Sequence, residues 1–364
     1  LLWKIARVAP RVRRSALKGT VVSKVRRATL RDVAKEAGVA ESTASRALAG
    51  GAAVSEDTRA RIFDVAERLG YSMPRRAKPT FPERKGLVGL VVAALHNSFY
   101  SHLIDRIHDE LDALGYDMVL IIDDLSSAAA SRKIKGLIET AIDGVIFTTS
   151  AVDSPAVEIL IERGIPTVLA IRSNKRGNVT VVESDNLMAG KEAMRHLAEL
   201  GHTRIGFLLG PKETSTSLDR FAGAQEAARG LGIEIDEDLV LWSEFSHEAG
   251  YSGLVQMMGA RDRPTALICG NDVVAIGAMD AAIKIGLVVP RDLSIIGVDD
   301  IPMASWSMIS LTTVRQSISE IGTLAARRVA KQIEIGGNHE IAHDILPTSL
   351  VRRSTTDRPN KLAD

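Results

Sequence analysis

The chain has 364 residues, 45% of them hydrophobic and 25% charged, with a formal net charge of +1 at pH 7. One cysteine, Cys269, excludes a disulfide within the chain, and no apolar run approaches the roughly 18 residues of a membrane-spanning helix. The near-neutral total hides an asymmetry: residues 1–85 hold 20 Lys and Arg against 8 Asp and Glu, and the rest holds 26 against 37. A basic head on an acidic body suits a protein whose one end meets phosphate while the other stays off it.

In chain order, residues 1–28 contain nine basic residues and no acid. They read either as a disordered basic arm that adds nonspecific DNA affinity or as an upstream extension from a misjudged start. The apolar run there is short and broken by Arg, against a secretory signal, so a cytoplasmic location is expected.

Residues 29–71 read as three short helices around one small core. Thr29 with Asp32 three places on is a capping pair, Leu30, Val33, Ala34 and Ala37 recur at helical spacing, and Gly38 supplies a turn. In the second helix Ala44, Ala47 and Leu48 face inward, leaving Glu41, Ser42, Ser45 and Arg46 on the outer face to reach base edges or phosphates. Ser55, Glu56 and Asp57 open a third helix with Ile62, Val65, Ala66 and Leu69 toward the core, and Gly70 ends it. The arrangement predicts a helix-turn-helix that reads DNA; the bland alternative is a solvated three-helix bundle for a protein partner.

The stretches DVAKEAGV, TASRAL and VSEDTRARI through LGY, in this order and spacing, resemble the headpiece of the LacI/GalR family of bacterial transcriptional regulators. The resemblance extends from Thr29 to about Arg353. It implies double-stranded operator DNA as partner, with Glu41, Ser42, Thr43, Ser45, Arg46 and Thr29 as candidate contacts. Arg46 is placed against phosphate or guanine, and Glu41 and Ser42 set base preference, since Glu accepts from cytosine N4. Ala40 replaces the usual hydroxyl cap of the recognition helix, at a cost of about 1 kcal/mol.

Ser72 to Gly86, rich in Pro and basic residues, is the linker. In the family a hinge helix lies here and wedges a leucine into the minor groove. Arg75, Arg76, Ala77 and Lys78 are the hinge candidates, but Pro79 and Thr80 depart from the pattern, and Pro disfavours helix at the residue before it. Phe81 is a weak substitute for the wedge.

From Leu87 onward short apolar runs alternate with amphipathic helices. LVGLVVAA, DMVLIID, GVIFTT, PTVLAI, TVVES, RIGFLLG, TALICG and LSIIGVD are the expected strands, giving parallel sheets covered on both faces. About 280 residues fit two lobes, with a break near Glu183. The expected boundaries are 87–182 plus about 312–337 for the first lobe, 183–311 plus about 338–356 for the second, and 357–364 as a tail. The family likeness implies a type I periplasmic-binding-protein-like body with a small molecule held between lobes.

The same resemblance supplies candidate effector residues. Asn97, Phe99 and Tyr100 stand where the family presents aromatic groups. Arg220 in DRFAGAQEA, Asn271 in CGNDVVAIGAM and Asp299 in GVDD match positions that hold ligand polar groups. Phe245 in EFSHEAGY sits where a ring covers the ligand face, and Gln316 follows LTTV. Arg220 paired with Asp219 and Phe245 as plain core are the competing readings. Where many sugar-binding members carry an acid after the strand PTVLAI, this chain has Ile171 and then Arg172, which brings a sugar acid or another anion into question.

An enzyme is not expected: GxxxxGK[ST], GxGxxG after the first strand and HExxH are absent. His196 and His202 read as structural or capping, Cys269 as core, and no cofactor or metal is expected. The acid pairs Asp123/Asp124 and Asp299/Asp300 point to opposite faces and form no glycosidase pair. The expected function is a ligand-controlled transcription factor, a repressor by default. It is expected to act as a homodimer with two recognition helices in successive major grooves and with no membrane partner. The polar tail lacks leucine heptads, against a coiled-coil tetramer. A small-molecule receptor without regulatory DNA binding is the alternative.

Overall fold

The computed structural model describes residues 29–48, 54–69, 71, 85–93, 97–122, 142–149, 154–174, 176–260, 262–336 and 340–360. The basic arm, Gly70, the hinge candidates Arg75 to Lys78, Pro79 to Phe81 and Asp123/Asp124 lie outside the described residues. The chain divides into two compact units between Arg76 and Ala77.

In the head, α1 (Leu30–Glu36), α2 (Glu41–Leu48) and α3 (Glu56–Arg68) enclose a core of Val33, Ala34, Ala37, Ala44, Ala47, Ile62, Val65 and Ala66. The Thr29 hydroxyl accepts from the Asp32 amide at 3.3 Å while the Asp32 carboxylate accepts from the Thr29 amide at 2.8 Å, a reciprocal cap on two otherwise unpaired donors. Gly38 at φ +65° makes the turn into α2. Small alanines at the α1–α2 contact let the helices approach closely, so the hydroxyls and charges of α2 remain outside.

The body opens with β1 (Leu87–Val92), whose entry is tied down by Asp143 through the amides of Lys85, Gly86 and Leu87. There follow α4 (Ser98–Ala113), β2 (Asp117–Ile122), β3 (Gly144–Phe147), α5 (Pro155–Glu162), β4 (Thr167–Ala170) and β5 (Thr180–Ser184). The second lobe continues with α6 (Asn186–Glu199), β6 (Ile205–Leu209), α7 (Ser215–Leu231), β7 (Val240–Trp242), α8 (His247–Met258), β8 (Ala266–Cys269), α9 (Asp272–Lys284), β9 (Ser294–Asp299) and β10 (Thr312–Arg315). The chain then forms α10 (Ile318–Ile335), β11 (His343–Leu346) and β12 (Ser349–Val351).

Two six-stranded sheets result, ordered β11-β5-β4-β3-β1-β2 and β12-β10-β9-β8-β6-β7. Every pairing is parallel except β10 with β12. All eight strands expected from the apolar runs form. The four not anticipated include three of the four sheet edges, β7, β11 and β12, which are short and half-exposed and so lack a continuous apolar run.

Two lobe boundaries need correction. β10 pairs with β9, so Thr312 to Arg315 belong to the second lobe, and the chain returns to the first only at Gln316 and Ser317. β11 pairs with β5, so the first lobe runs on to Leu346 rather than ending near 337. The expectation assigned one crossing to the start of LTTV, whereas that segment completes the second sheet. At the start of the expected tail, the Asp357 carbonyl accepts from His202 and from Ser294.

The three crossings are Asp185, Gln316 with Ser317, and Pro347 with Thr348. Each leaves a strand's carboxyl end and enters the other lobe within one or two residues. The carboxyl edges of the two sheets therefore face each other, with the crossings gathered where β5, β10, β11 and β12 lie side by side.

Candidate functional site

Facing carboxyl edges place the strand-end loops of both lobes around one cleft, the position where open α/β sheets bind ligands. From the second lobe comes Arg220, 5% exposed on the inner face of α7. Its Nε donates to Asn186 Oδ1 at 2.9 Å, its Nη1 to the Gly270 carbonyl at 2.5 Å, and its Nη2 stands 3.8 Å from Asp299 Oδ1. Among the described residues Arg220 makes no hydrogen bond or ion pair with Asp219. Gln316, on the crossing after β10, donates its amide to Asp299 Oδ1 at 2.6 Å.

Asp299 ends β9 with φ +133° and Asp300 follows at φ +59°, both in the region that disfavours a side chain. The two carboxylates diverge as expected. Asp299 turns to Arg220 and Gln316, while Asp300 pairs with Arg315 at 2.6 Å and Arg353 at 2.5 Å. Beneath them Asp272 accepts from the Ile301 amide at 2.9 Å and the Thr313 hydroxyl at 2.5 Å, which fixes the β9 exit. Burial pushes Asp272 up to about 6 and Asp299 up to about 8, against the downward pull of the Thr313 hydroxyl on the first and of Arg220 on the second.

Asn271 caps α9 by accepting from the Val274 amide at 2.9 Å. Phe245 lies over the ends of β6 and β8. A Cβ on Gly210 would stand 2.2 Å from its ring, so the absence of a side chain there admits the ring. Phe245 is half-buried and packs on the edge of the core, a position compatible with both readings the sequence left open.

From the first lobe, Asn97 caps α4 by accepting from the Phe99 amide at 3.0 Å. Phe99 and Tyr100 are buried in the hydrophobic core in edge-to-face contact, ring centroids 5.5 Å apart. Arg172, half-buried beyond β4, donates to the Thr149 carbonyl at 3.2 Å. The next residue, Ser173, donates its amide to Ser215 Oγ at 2.9 Å across the cleft.

The sequence did not single out Asn186, Gly270, Asp272, Thr149 or Glu183. Glu183, expected only as the place of the lobe break, is buried against His343 at 2.8 Å, and burial raises its carboxyl above the ordinary range. His196 and His202 are structural: His196 meets Thr356 at 2.9 Å, and His202 bridges Thr265, Ser294 and Asp357. Among the described residues no group of three or more His, Cys, Asp or Glu is placed to hold a metal ion, and no helix is long and apolar enough to cross a membrane.

On the head, Glu41, Ser42, Ser45 and Arg46 are exposed along α2, and Thr43 is half-buried. Arg46 Nε donates to the Ser42 carbonyl at 3.2 Å, which anchors the stem and directs the rest of the guanidinium outward. The Thr29 hydroxyl is held by Asp32 at 2.7 Å.

Residues 29–73 match the model of bacterial regulatory proteins of the lacI family, and residues 194–356 match that of a periplasmic binding protein-like domain. The chain is 32% identical over 335 residues to the transcriptional regulator DegA of Bacillus subtilis, covering 91% of this chain and 99% of that one. It belongs to the LacI family.

Other LacI-family members agree. The repressor PurR of Proteus mirabilis is 30% identical over 334 residues, 91% of this chain and 98% of its own. The solved regulator CelR in complex with cellobiose superposes with a TM-score of 0.70 at 28% identity, covering 90% of this chain and all of that one. The chain is a helix-turn-helix transcriptional regulator with a LacI-type head and a two-lobed binding body.

Proposed function

We propose that this regulator is a repressor that binds a pseudo-palindromic operator as a homodimer in the cytoplasm. α2 enters the major groove, and a sugar, sugar acid or related metabolite held between the lobes controls its affinity. On the head, Arg46 takes phosphate or guanine, Glu41 and Ser42 read bases, and Ser45, Thr43 and Thr29 complete the contact set. Arg75 to Lys78 form the hinge. In the body, Arg220, Asp299, Asn271 and Gln316 hold ligand hydroxyls, with Asn97, Phe99, Tyr100 and Phe245 lining the walls. No catalytic role is assigned to any residue.

The observation that carries the ligand reading is a set of unpaired polar atoms at the facing strand ends. Thr149 Oγ1, Ser184 Oγ and Gln316 Oε1 are buried without a hydrogen-bond partner. An unmet buried acceptor or donor costs about 1–3 kcal/mol, and a polyhydroxylated molecule would satisfy several at once. The CelR complex, with cellobiose, supports the same class.

The test is a thermal-shift screen of sugars, sugar acids, polyols and purines. Operator-fragment anisotropy then follows with and without each compound that raises the melting temperature. A compound that shifts both readouts supports the proposal, and compounds that stabilise the protein without altering DNA affinity would remove the coupling.

A further inference from the structure

Arg220 of the second lobe and Arg172 of the first both stand at the strand-end loops, and their surroundings differ. Arg220 is tied into the protein: it donates to Asn186 and to the Gly270 carbonyl, and Asp299 lies 3.8 Å from its Nη2. Among the described residues Arg172 has one partner, the backbone carbonyl of Thr149 at 3.2 Å, and no carboxylate of theirs lies within ion-pairing distance. The residue beside it that could have carried an acid is Ile171, 5% exposed with its backbone at φ +75°. A β-branched side chain is held in a disfavoured conformation there, and it supplies no counter-charge to Arg172.

Three further facts bear on the charge balance. Burial lowers the proton affinity of Arg220, Asp299 and Asp272 oppose that, and Arg172 lowers it further, so the two guanidinium groups lie in each other's field. The acids around them are themselves held back: burial pushes Asp299 up to about 8 and raises Glu183, which lessens the negative charge available near neutrality. Thr149, whose carbonyl positions Arg172, also has its buried hydroxyl unpaired. A guanidinium fork beside an unpaired hydroxyl, with no acid among the described residues in ion-pairing reach, suits a planar or tetrahedral oxyanion.

We infer that the effector carries an anionic group, a carboxylate or a phosphate, which sits on Arg172 beside the Thr149 hydroxyl, while its hydroxyls engage Asp299, Asn271 and Gln316. This rests on the reading of the cleft as the effector site. A neutral sugar leaves the Arg172 charge unmatched in a half-buried site, and an anion cancels it.

The experiment is calorimetric titration of the full-length protein with matched sets. Glucose is compared with glucuronate, gluconate and glucose 6-phosphate, and galactose, mannose and ribose are compared with their corresponding acids and phosphates. The expected result is a carboxylate or phosphate that binds at least tenfold more tightly than its neutral parent. Arg172→Gln should abolish the difference, and Arg172→Lys should restore part of it. The acid and phosphate arms separate the two sources of the anion. A neutral parent that binds as tightly as its charged partners, or an Arg172→Gln protein that keeps the preference, overturns the inference and leaves the effector site standing. Absence of binding by every member of every set overturns the effector reading and this inference with it.

Discussion

Asp299 concentrates the chemistry of the cleft: a strained backbone, a raised pKa and contacts to Arg220 and Gln316 meet in one residue. Its carboxyl keeps its proton in the folded state to about pH 8 but loses it near pH 4 when unfolded. The folded state then binds more protons across that window, so stability contributed by this group is present below pH 4 and is lost as pH rises toward 8. Asp299→Asn should remove that slope. Thermal melts from pH 4 to 8 should fall less steeply for the variant than for the parent, and identical slopes would refute the raised pKa. Gly210 offers a second residue-scale prediction. Gly210→Ala drives a methyl into the Phe245 ring and should weaken effector binding about tenfold, read by titration with the strongest hit from the screen. Arg220, Asn271 and Asp299 were legible because each sits inside a distinctive run of neighbours. Asn186 and Thr149 were not, because one faces the cleft only through a cap-adjacent turn and the other is an ordinary hydroxyl after a strand.

At the scale of elements, helices α6 and α7 touch backbone to backbone. A Cβ on Gly190 would stand 1.9 Å from the Arg220 carbonyl, and one on Gly223 would stand 2.0 Å from that of Leu187. Alanine at position 223 would gain up to about 1 kcal/mol of helix propensity but force the helices apart, and overpacking of about 1–3 kcal/mol outweighs that gain. Gly223→Ala should lower the melting temperature by several degrees and shift α7, so that Arg220 loses its grip on Asp299 and effector affinity falls with it. On the head, α2 has no hydroxyl before its first turn, although Ala40 already accepts the Thr43 and Ala44 amides through its carbonyl. Ala40→Ser should stabilise the head by about 1 kcal/mol, visible as a higher midpoint in denaturant. The apolar runs revealed the inner strands because both faces of each are covered. The edges β11 and β12 stayed hidden since alternating exposure in HDIL and a three-residue SLV give no run to see. Missing β11 displaced one lobe boundary, and missing β10 displaced the other.

For the whole molecule, the charge division between head and body sets how binding should respond to salt. DNA affinity carried by the basic head should fall linearly with the logarithm of salt concentration. Arg46→Ala should abolish specific binding, leave the melting transition of the body in place, and reduce the salt slope by about one if the contact is to phosphate. Retained sequence-specific binding would refute the assignment of α2 as the reading helix. Nearly complete switching by an effector requires about 5.5 kcal/mol of differential affinity between two states of the protein. A few charge-assisted hydrogen bonds of about 1.5–3 kcal/mol each bring that within reach of one small molecule.

The three short crossings have a mechanical meaning. One tether between two rigid blocks leaves bending, twisting and sliding all soft, whereas three stiff tethers bundled along one side suppress all but a rotation about the line they define. The lobes then form a device with a single degree of freedom. A rotation about that line carries the far strands β2 and β7 through the greatest travel. Recognition and output are thereby separable: the side chains lining the gap can change to suit a new effector while the motion delivered stays the same.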